Sequence, residues 1–383
     1  ELAEACTPSS IGAAPAAADY FQIGKATLII SNANTATDRG LTLNDTATIQ
    51  VTSGTTSLKG LVKGSGVLRK TGAGQLNITR GGANTWRSTI LQAGTLAMGA
   101  YNTTFGIATS TIHVTGNATL NMFDSNSSSS APIFQNTIDI DEGKMLTFRA
   151  GSRCAIKGAL VGKGTFKVSF PYVRGDVYTN ASKFEGVYEV ASANCRFVQA
   201  MNLSKATLKL DEGAHAAGYK PGKGDEVSYT HTIGTLTGTG TLGTGTWQIA
   251  RLAISYKVAG SAILCDAPTV NGTALLRNLV IDMSSAAGTD IPDGAEFAVI
   301  RGTGKRTVTG PVTVLPAQPK PGYEWDTSSL ASKGIITIKP VPDAVCTPEA
   351  VGNGTDMFTL SGTKAVTPTE GIYITNKKKI IRR

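Results

Sequence analysis

Short runs of alternating apolar and polar residues recur along most of this chain, and each run ends in a corner rich in Gly, Asn or Asp. The segments STILQAGTLAM (88–98), STIHVTGNATLNM (110–122) and NTIDIDEGKMLTF (136–148) show the pattern clearly. Alternation with a period of two predicts half-buried strands. Because such strands come about every 10–12 residues and are separated by turn residues, the sequence predicts an all-β protein.

Paired glycines followed by alternating apolar residues form a longer and irregular repeat. The pairs occur in LVKGSGVLRKTGAGQLNI (61–78), LVGKGTFKV (160–168) and LTGTGTLGTGTW (236–247). Glycine suits strand corners because it adopts positive φ without strain. A phosphate-binding loop would be followed by a helix and by Lys-Ser/Thr, and none of these segments has either feature. We therefore interpret these glycines as corners between strands.

The length of the repeating pattern separates two all-β architectures. An antiparallel sandwich also has short alternating strands, but it is usually complete within about 100 residues. Here the pattern runs from residue 25 to residue 339 without a linker-like break. We therefore predict a single elongated parallel β-solenoid (β-helix), followed by a short C-terminal β tail. At about 20–25 residues and about 4.8 Å per coil, we expect about 13–16 coils and a rod of about 65–75 Å.

Composition and charge are compatible with a protein that has a sizeable core. Of the 383 residues, 41% are hydrophobic, and no apolar run approaches the roughly 20 residues that a transmembrane helix needs. We therefore expect no transmembrane insertion of this segment. The formal net charge is +9, but five of the positive charges lie in the last seven residues, 377–383. Elsewhere the sequence contains no basic stripe and no recognisable nucleic-acid module, so we expect no nucleic-acid partner.

The cysteines are too far apart to predict a zinc site. None of the five forms a Cys-x-x-Cys pair; they are Cys6, Cys154, Cys195, Cys265 and Cys346. Two interpretations stay open at this point. The cysteines are buried small hydrophobes, or a pair such as Cys154 and Cys195 forms a disulfide in an oxidising compartment.

Histidines and carboxylates predict no recognisable active site. His113, His215 and His231 are isolated from one another. The Asp-Glu-Gly corners at 141–143 and 211–213 suit turns better than calcium sites. No hydrolase, zinc-protease or P-loop motif is present. We therefore expect no metal and no cofactor, and we favour a non-catalytic protein over a β-helical polysaccharide lyase or glycosidase.

The segment 39–98 resembles the autotransporter-associated β-strand repeat, also called the passenger-associated transport repeat. The elements of that motif occur in order as RGLTL (39–43), GSGVLRKTGAGQLNI (64–78), ANTW (83–86) and AGTL (93–96). Where the family usually has Tyr-x-Gly after Asn-Thr, this chain has Trp-Arg-Ser. The resemblance implies a solenoid that belongs to an exported bacterial surface protein.

Two further segments resemble the C-terminal parts of such exported proteins. The stretch from EFAVIRGTGKRTVTG (296–310) to GYEWDTSSLASKGIITI (322–338) is similar to segments that close these solenoids, with Trp325 covering the last apolar layer. The end of the chain resembles the C-terminal sorting domain of proteins exported by the type IX secretion system. The matching residues of this sorting-like tail are Gly371, Tyr373, Lys377, Lys378 and Lys379.

These patterns divide the chain into four parts. Residues 1–24 are interpreted as a lead-in from a longer chain, 25–339 as the solenoid, 340–355 as a linker and 356–383 as the sorting-like tail. The resemblance implies a protein that is secreted or held at the cell surface of a Gram-negative bacterium, with the export machinery as partner of the tail. We expect a structural, adhesin-like role that spaces or displays an upstream region.

Three aromatic residues are candidates for binding a glycan. If they are exposed, Trp86, Tyr101 and Trp247 could stack on sugar rings. The rod would then be a glycan-binding module, with a surface glycan or another host or cell-surface ligand as its partner. The alternative, which we favour for each of the three, is that the ring belongs to the core or to a cap.

Overall fold

The structure is a computed structural model, and its contacts divide the chain into two compact units, Glu1–Pro340 and Val341–Arg383. It describes residue 13 and residues 15–31, 34–80, 82, 84–99, 104–122, 132–170, 174–193, 195–284 and 291–341 of the first unit and its boundary. In the second unit it describes the backbone of four strands. The division falls one residue beyond the solenoid end expected at 339.

The first unit is a stack of coils, and each coil contributes short strands to parallel sheets that run along the stack. This confirms the predicted all-β parallel solenoid. We number the strands in chain order and call the four parallel sheets S1 to S4. S1 contains β1 (Gln22–Ile23), β4 (Leu41–Leu43) and β7 (Val62–Lys63).

Sheet S2 follows S1 in the early coils. It contains β2 (Thr27–Ile30), β5 (Thr46–Val51), β8 (Val67–Thr71), β10 (Ser88–Leu91), β12 (Thr111–Val114), β15 (Thr137–Ile140), β18 (Leu160–Gly162) and β21 (Lys183–Phe184).

Sheet S3 runs through nearly every coil. It contains β3 (Thr35–Thr37), β6 (Thr55–Leu58), β9 (Gln75–Ile78), β11 (Gly94–Met98), β13 (Ala118–Asn121), β16 (Met145–Arg149), β19 (Thr165–Ser169), β22 (Val187–Val190), β24 (Asn202–Leu210), β26 (Thr230–Gly238), β28 (Thr246–Ala253), β32 (Thr273–Asp282), β34 (Arg306–Thr309) and β35 (Thr313–Leu315).

Sheet S4 forms the third side of the later coils. It contains β14 (Ile133–Phe134), β17 (Cys154–Ile156), β20 (Gly175–Val177), β23 (Cys195–Phe197), β25 (His215–Gly218), β27 (Thr241–Leu242) and β31 (Thr269–Val270).

Stacked register gives the core its continuity. Leu76 pairs with Leu96, Leu96 with Leu120, and Leu120 with Phe148, so one inward column is apolar in coil after coil. Within the described residues, the path through S3 contains 13 successive strands. At about 4.8 Å per rung, 13 strands span about 58 Å. The coil number is therefore at the lower end of the expected 13–16, and the stack is shorter than the expected 65–75 Å.

The middle coils hold a run of aromatic rings in edge-to-face contact. Centroids lie 5.4 Å apart for Phe134 and Phe148, 5.9 Å for Phe148 and Phe166, and 5.4 Å for Phe166 and Tyr188. Tyr188 in turn contacts Phe197 at 6.1 Å. Such pairs add to the stability gained from burying the rings, so aromatic as well as aliphatic residues fill the core of the middle coils.

The corner interpretation of the paired glycines is confirmed at Gly64. This residue has φ +119°, and a Cβ atom there would lie only 2.1 Å from the carbonyl oxygen of Leu43 in the preceding coil. Adjacent coils therefore approach each other so closely at this corner that a side chain has no room.

Antiparallel strands end the parallel stack. The cap sheet consists of β33 (Glu296–Ala298), β36 (Tyr323–Asp326) and β37 (Ile335–Pro340), and the helix α1 (Leu330–Lys333) precedes β37. The Trp325 ring packs on Phe297 at 5.2 Å, which confirms its predicted place against the last apolar layer. A hairpin of β29 (Tyr256–Ala259) and β30 (Ala262–Cys265) follows β28 in the chain, and its Tyr256 ring packs on Phe297 of β33 at 5.0 Å.

The second unit contains an antiparallel sheet in the order β39-β38-β40-β41. Its strands are β38 (Met357–Thr359), β39 (Lys364–Ala365), β40 (Gly371–Thr375) and β41 (Lys378–Arg382). The chain therefore ends in the short β tail that the sequence predicts. In the described part of the chain, no helix has the length and apolar character needed to cross a membrane.

Candidate functional site

Two of the three predicted glycan-stacking residues are buried in the core. Trp86 and Trp247 are both 0% exposed, so they are excluded as sugar-stacking residues, and the core interpretation that we favour for them is confirmed. Their indole N–H groups donate to Thr89 Oγ1 at 2.9 Å and to the carbonyl oxygen of Gly243 at 3.0 Å. Because each ring is packed and its polar atom is paired inside the coil, neither gains from facing solvent. Tyr101 lies outside the described residues.

Four of the five named residues of the sorting-like tail lie on two paired strands. Gly371 and Tyr373 belong to β40, Lys378 and Lys379 belong to β41, and the pairs Ile374–Lys379 and Thr375–Lys378 set the register. Lys377 lies outside the described residues. The role of this tail in export stays a prediction.

The described cysteines are buried free thiols. Cys154 and Cys195 occupy the same column of S4, but Gly175 lies between them. Two rungs separate their Cα atoms by about 9.6 Å, beyond the reach of a disulfide. Burial raises the pKa of Cys195 to about 12 and raises the pKa of Cys154 further still. These thiols are therefore small hydrophobes, and the disulfide alternative is wrong for this pair.

His231 and the acidic corners have structural roles. His231 is fully buried, and its Nδ1 accepts the backbone N–H of Met201 at 3.2 Å. Burial lowers the pKa of His231 to about 4. The corners at 141–143 and 211–213 are tight turns in which Gly143 and Gly213 have positive φ, as predicted. Among the described residues, no group of three or more His, Cys, Asp or Glu converges in a way that could hold a metal ion.

Lys70 is a buried charged residue that sequence reasoning missed. It occupies an inward position of S2 between Ile49 and Leu91. Its Nζ donates to three carbonyl oxygens, those of Thr71 at 2.8 Å, Gly72 at 2.9 Å and Ala93 at 3.1 Å. Burial lowers its pKa to about 8. The ammonium group therefore stabilises the corner between S2 and S3. The one feature of the sequence that pointed to Lys70 was its place in the repeat motif, within GSGVLRKTGAGQLNI (64–78).

A ladder of opposite charges lies on the outer face of S3. Lys167, Glu189 and Lys209 are directly opposite one another on three successive strands. Glu189 is nearly buried and accepts hydrogen bonds from both lysines, and Asp211 lies 3.2 Å from Lys167 and 3.3 Å from Lys209. The hydrogen bond that Lys167 donates to Glu189 raises the pKa of Lys167. This arrangement fixes the register of three coils.

Basic residues surround a single carboxylate on the outer face of S4, and we call this group the basic face. Its members are Arg153, Lys157, Arg174, Asp176, Tyr178 and Arg196. In register, Asp176 of β20 pairs with Ala155 of β17 and with Arg196 of β23. Since side chains alternate along a strand, the residues two positions from Asp176, which are Arg174 and Tyr178, lie on the same side of S4.

The geometry around Asp176 combines ion pairs with aromatic contacts. Asp176 Oδ1 lies 3.9 Å from Arg174 Nε and 3.9 Å from Arg196 Nη1. The Arg196 guanidinium stacks over the Tyr219 ring at 3.8 Å, and Lys157 Nζ lies over the Tyr178 ring at 5.1 Å. Within the described residues, Asp176 Oδ1 is buried and accepts no hydrogen bond.

Residues 219–228 fold back over one end of the basic face, and we call them the strap. The Gly222 N–H donates to Asp176 Oδ2 at 3.0 Å. The strap is closed on itself by a bridge between Tyr219 and Glu226, and the Tyr219 hydroxyl donates to Glu226 Oε1 at 3.0 Å. The strap therefore covers Arg196 and leaves Arg174 and Tyr178 partly exposed.

The protonation states of this region suit binding better than acid–base chemistry. A hydrogen bond from Thr244 lowers the pKa of Glu226, so this carboxyl is ionised near neutral pH and is a poor general acid. Burial raises the pKa of Tyr178 and of Tyr219, so both phenols stay protonated. The arrangement offers positive charge and aromatic surface without a matched acid and base.

Comparison of the chain with protein-family models and with curated proteins returns no match.

Proposed function

We propose that this chain is a non-catalytic, adhesin-like β-solenoid that spaces or displays an upstream region of an exported bacterial surface protein. The observation that carries the proposal is the single apolar core, which extends from Ile23 in the first coil to Ile338 in the cap sheet. A solenoid with one uninterrupted core keeps a fixed distance between its two ends, because each coil packs against its neighbours.

The outer surface supports a mechanical role. Outward positions on S3 carry Thr in several coils, as in the paired Thr95, Thr119 and Thr147, and ion pairs such as those around Glu189 link the next coils. Cross-strand pairs of this kind add small stabilising increments at each rung. A rod built in this way needs no ligand to be stable.

Export and surface location are part of the proposal and rest on the resemblance of residues 39–98 and 356–383 to exported proteins. In this proposal the tail contacts the export machinery, and the solenoid is then secreted or held at the surface of a Gram-negative cell. The alternative function is a carbohydrate-active module. Its glycan-binding form is favoured by one specific observation, the basic and aromatic face around Asp176.

The export proposal can be tested with an epitope placed upstream of Glu1 in a Gram-negative host that has type IX secretion. We expect antibody to reach the epitope on intact cells when the whole chain is present. A chain without residues 356–383 is the matched control, and it should be retained inside the cell. Equal surface signal with and without the tail, or retention of both chains, would contradict the proposed role of the tail.

The non-catalytic proposal has a separate test. The whole chain is incubated with uronate polymers and neutral polysaccharides, and new reducing ends and unsaturated products are measured. We expect no turnover above buffer. Turnover that disappears in a variant of an ionisable residue of the basic face or the strap, such as Glu226→Gln, would replace the structural proposal with the enzymatic one.

A further inference from the structure

We propose that the basic face on S4 binds an acidic, uronate-type saccharide. In this site Arg174 and Lys157 contact its carboxylates, and the Tyr178 ring contacts a sugar ring. This inference goes beyond the spacer function, which needs no ligand. Failure to bind a saccharide would leave the rod and its export unaffected, so the two proposals fail separately.

Register places the cations of this face on adjacent rungs of one sheet. Arg153 directly precedes β17 as Arg174 directly precedes β20, and the pairing of Cys154 with Gly175 makes these two arginines neighbours on adjacent rungs. Lys157 directly follows β17 as Tyr178 follows β20, which explains the position of its ammonium over the Tyr178 ring. Arg153 and Arg174 are therefore about one rung, or about 4.8 Å, apart along the stack, and Lys157 lies four residues, or about 13 Å, further along the strand direction.

Charge favours an anionic ligand. Arg153, Lys157, Arg174 and Arg196 surround Asp176, the one carboxylate of the basic face, so the face carries a clear positive excess. The guanidinium fork matches a carboxylate in geometry and forms charge-assisted hydrogen bonds with it. Lys157 is exposed, and the Arg174 side chain is 19% exposed, so both can reach a ligand in solvent.

Asp176 and Arg196 act as positioning residues in this site. Asp176 lies 3.9 Å from the guanidinium groups of Arg174 and Arg196 and is fixed from the other side by the Gly222 N–H of the strap. Arg196 is fixed in turn against the Tyr219 ring. These contacts limit the rotamers of Arg174, which lowers the entropy lost when it binds a ligand.

The aromatic ring favours a saccharide over other polyanions as the ligand. The partly exposed Tyr178 ring, which has Lys157 Nζ over it, offers apolar surface to the C–H face of a sugar. Nucleic acid binding would call for a longer basic stripe. On S4 the positive cluster spans the rungs of β17, β20 and β23, and in the strap Lys220 is paired with Asp225 at 3.5 Å. A short acidic saccharide segment fits this size and charge better.

The test measures binding of polygalacturonate to the whole chain by titration calorimetry, with neutral dextran as the matched uncharged polymer. We expect polygalacturonate to bind with an affinity that falls as salt rises, and dextran not to bind. Lys157→Gln and Arg174→Gln should each weaken binding about tenfold, as expected for the loss of one charge-assisted contact. Lys157→Arg should retain the binding of polygalacturonate. Tyr178→Phe should bind polygalacturonate more tightly than Tyr178→Ala does.

Lys205→Gln is the control, because Lys205 is an exposed lysine on S3, away from this face, and its loss should leave affinity unchanged. Thermal unfolding of each variant checks the fold, and Lys157→Gln keeps the test decisive if Arg174→Gln unfolds. Three results would overturn the proposal. The chain does not bind polygalacturonate, Lys205→Gln weakens binding as much as Lys157→Gln does, or random duplex DNA binds to the same face more tightly.

Discussion

His231 lies flat against Trp247 in the core, with ring centroids 4.2 Å apart and ring planes inclined by 17°. The two residues are directly paired on β26 and β28. The imidazole also contacts Phe197 at 5.4 Å and is fully buried. A titratable group is thus built into the apolar stack, where a positive charge is poorly solvated.

This stack predicts a loss of stability in mild acid. The folded-state pKa of His231 is about 4, below its ordinary 6.5, so between these values the unfolded chain binds a proton that the folded chain does not. Stability should be intact above pH 6.5 and fall by up to about 3 kcal/mol as the pH drops to 4. Denaturant unfolding of the wild type and of His231→Phe across this range measures it.

His231→Phe should remove this part of the pH dependence while keeping an aromatic ring in the stack. At neutral pH it should cost about 1–3 kcal/mol, because the backbone N–H of Met201 loses its acceptor. His113→Gln is the control, since His113 is largely exposed beside Asp139. An unchanged slope between pH 6.5 and 4 in His231→Phe would show that other groups cause the acid sensitivity.

The closeness of the corners predicts a position-specific effect of adding one methyl group. Gly64→Ala should destabilise the protein by about 1–3 kcal/mol or more, because its φ is +119° and the new Cβ would meet the Leu43 carbonyl oxygen at 2.1 Å. Gly24→Ala should change stability by less than about 0.5 kcal/mol, because nothing lies within 4 Å of its Cβ position. Comparison of their denaturant midpoints tests this, and equal midpoints would argue against the tight corner.

The charge ladder on S3 predicts unequal effects for two glutamates. Glu189→Gln should cost about 1–2 kcal/mol, since Glu189 is nearly buried and is hydrogen-bonded to both Lys167 and Lys209. Glu185→Gln should cost less than about 0.5 kcal/mol, because Glu185 is 44% exposed and its lysine partners are 3.7 and 4.0 Å away. Urea unfolding at low and high salt measures the loss of unfolding free energy for each variant. An equal loss for both variants would show that Glu189 contributes no more than a solvent-exposed ion pair does.

The stacked register predicts that the rod can be shortened by one whole coil. Deletion of residues 46–66 joins Asp45 to Val67, the register partner of Thr46, and should give a folded, cooperatively melting protein. Deletion of residues 46–54 should not, because it moves the sequence of β6 from S3 into S2. Far-UV circular dichroism and thermal melting distinguish the two. Two equally folded products would indicate that register is not set by these pairs.

Much of the fold was predictable because strands and corners are local properties. Alternation marked strands such as β12 and β15, and glycines such as Gly64 marked corners, since both depend on neighbours in sequence. Coil-to-coil pairing was not predictable, because coil lengths vary. Leu236 pairs with Leu208, 28 residues before it, and with Leu252, only 16 residues after it.

The candidate site depended almost entirely on that pairing. Trp86 and Trp247 were candidates by residue type, and only packing showed that both are buried. Arg174, Asp176 and Arg196 drew no attention in the sequence, because Arg196 belongs to the coil after that of Arg174 and Asp176 and becomes their neighbour only when β20 and β23 stack. The sequence alone determined a β-solenoid, since its periodicity is local. The tertiary structure decided which side chains share a face, since that depends on how variable coils align.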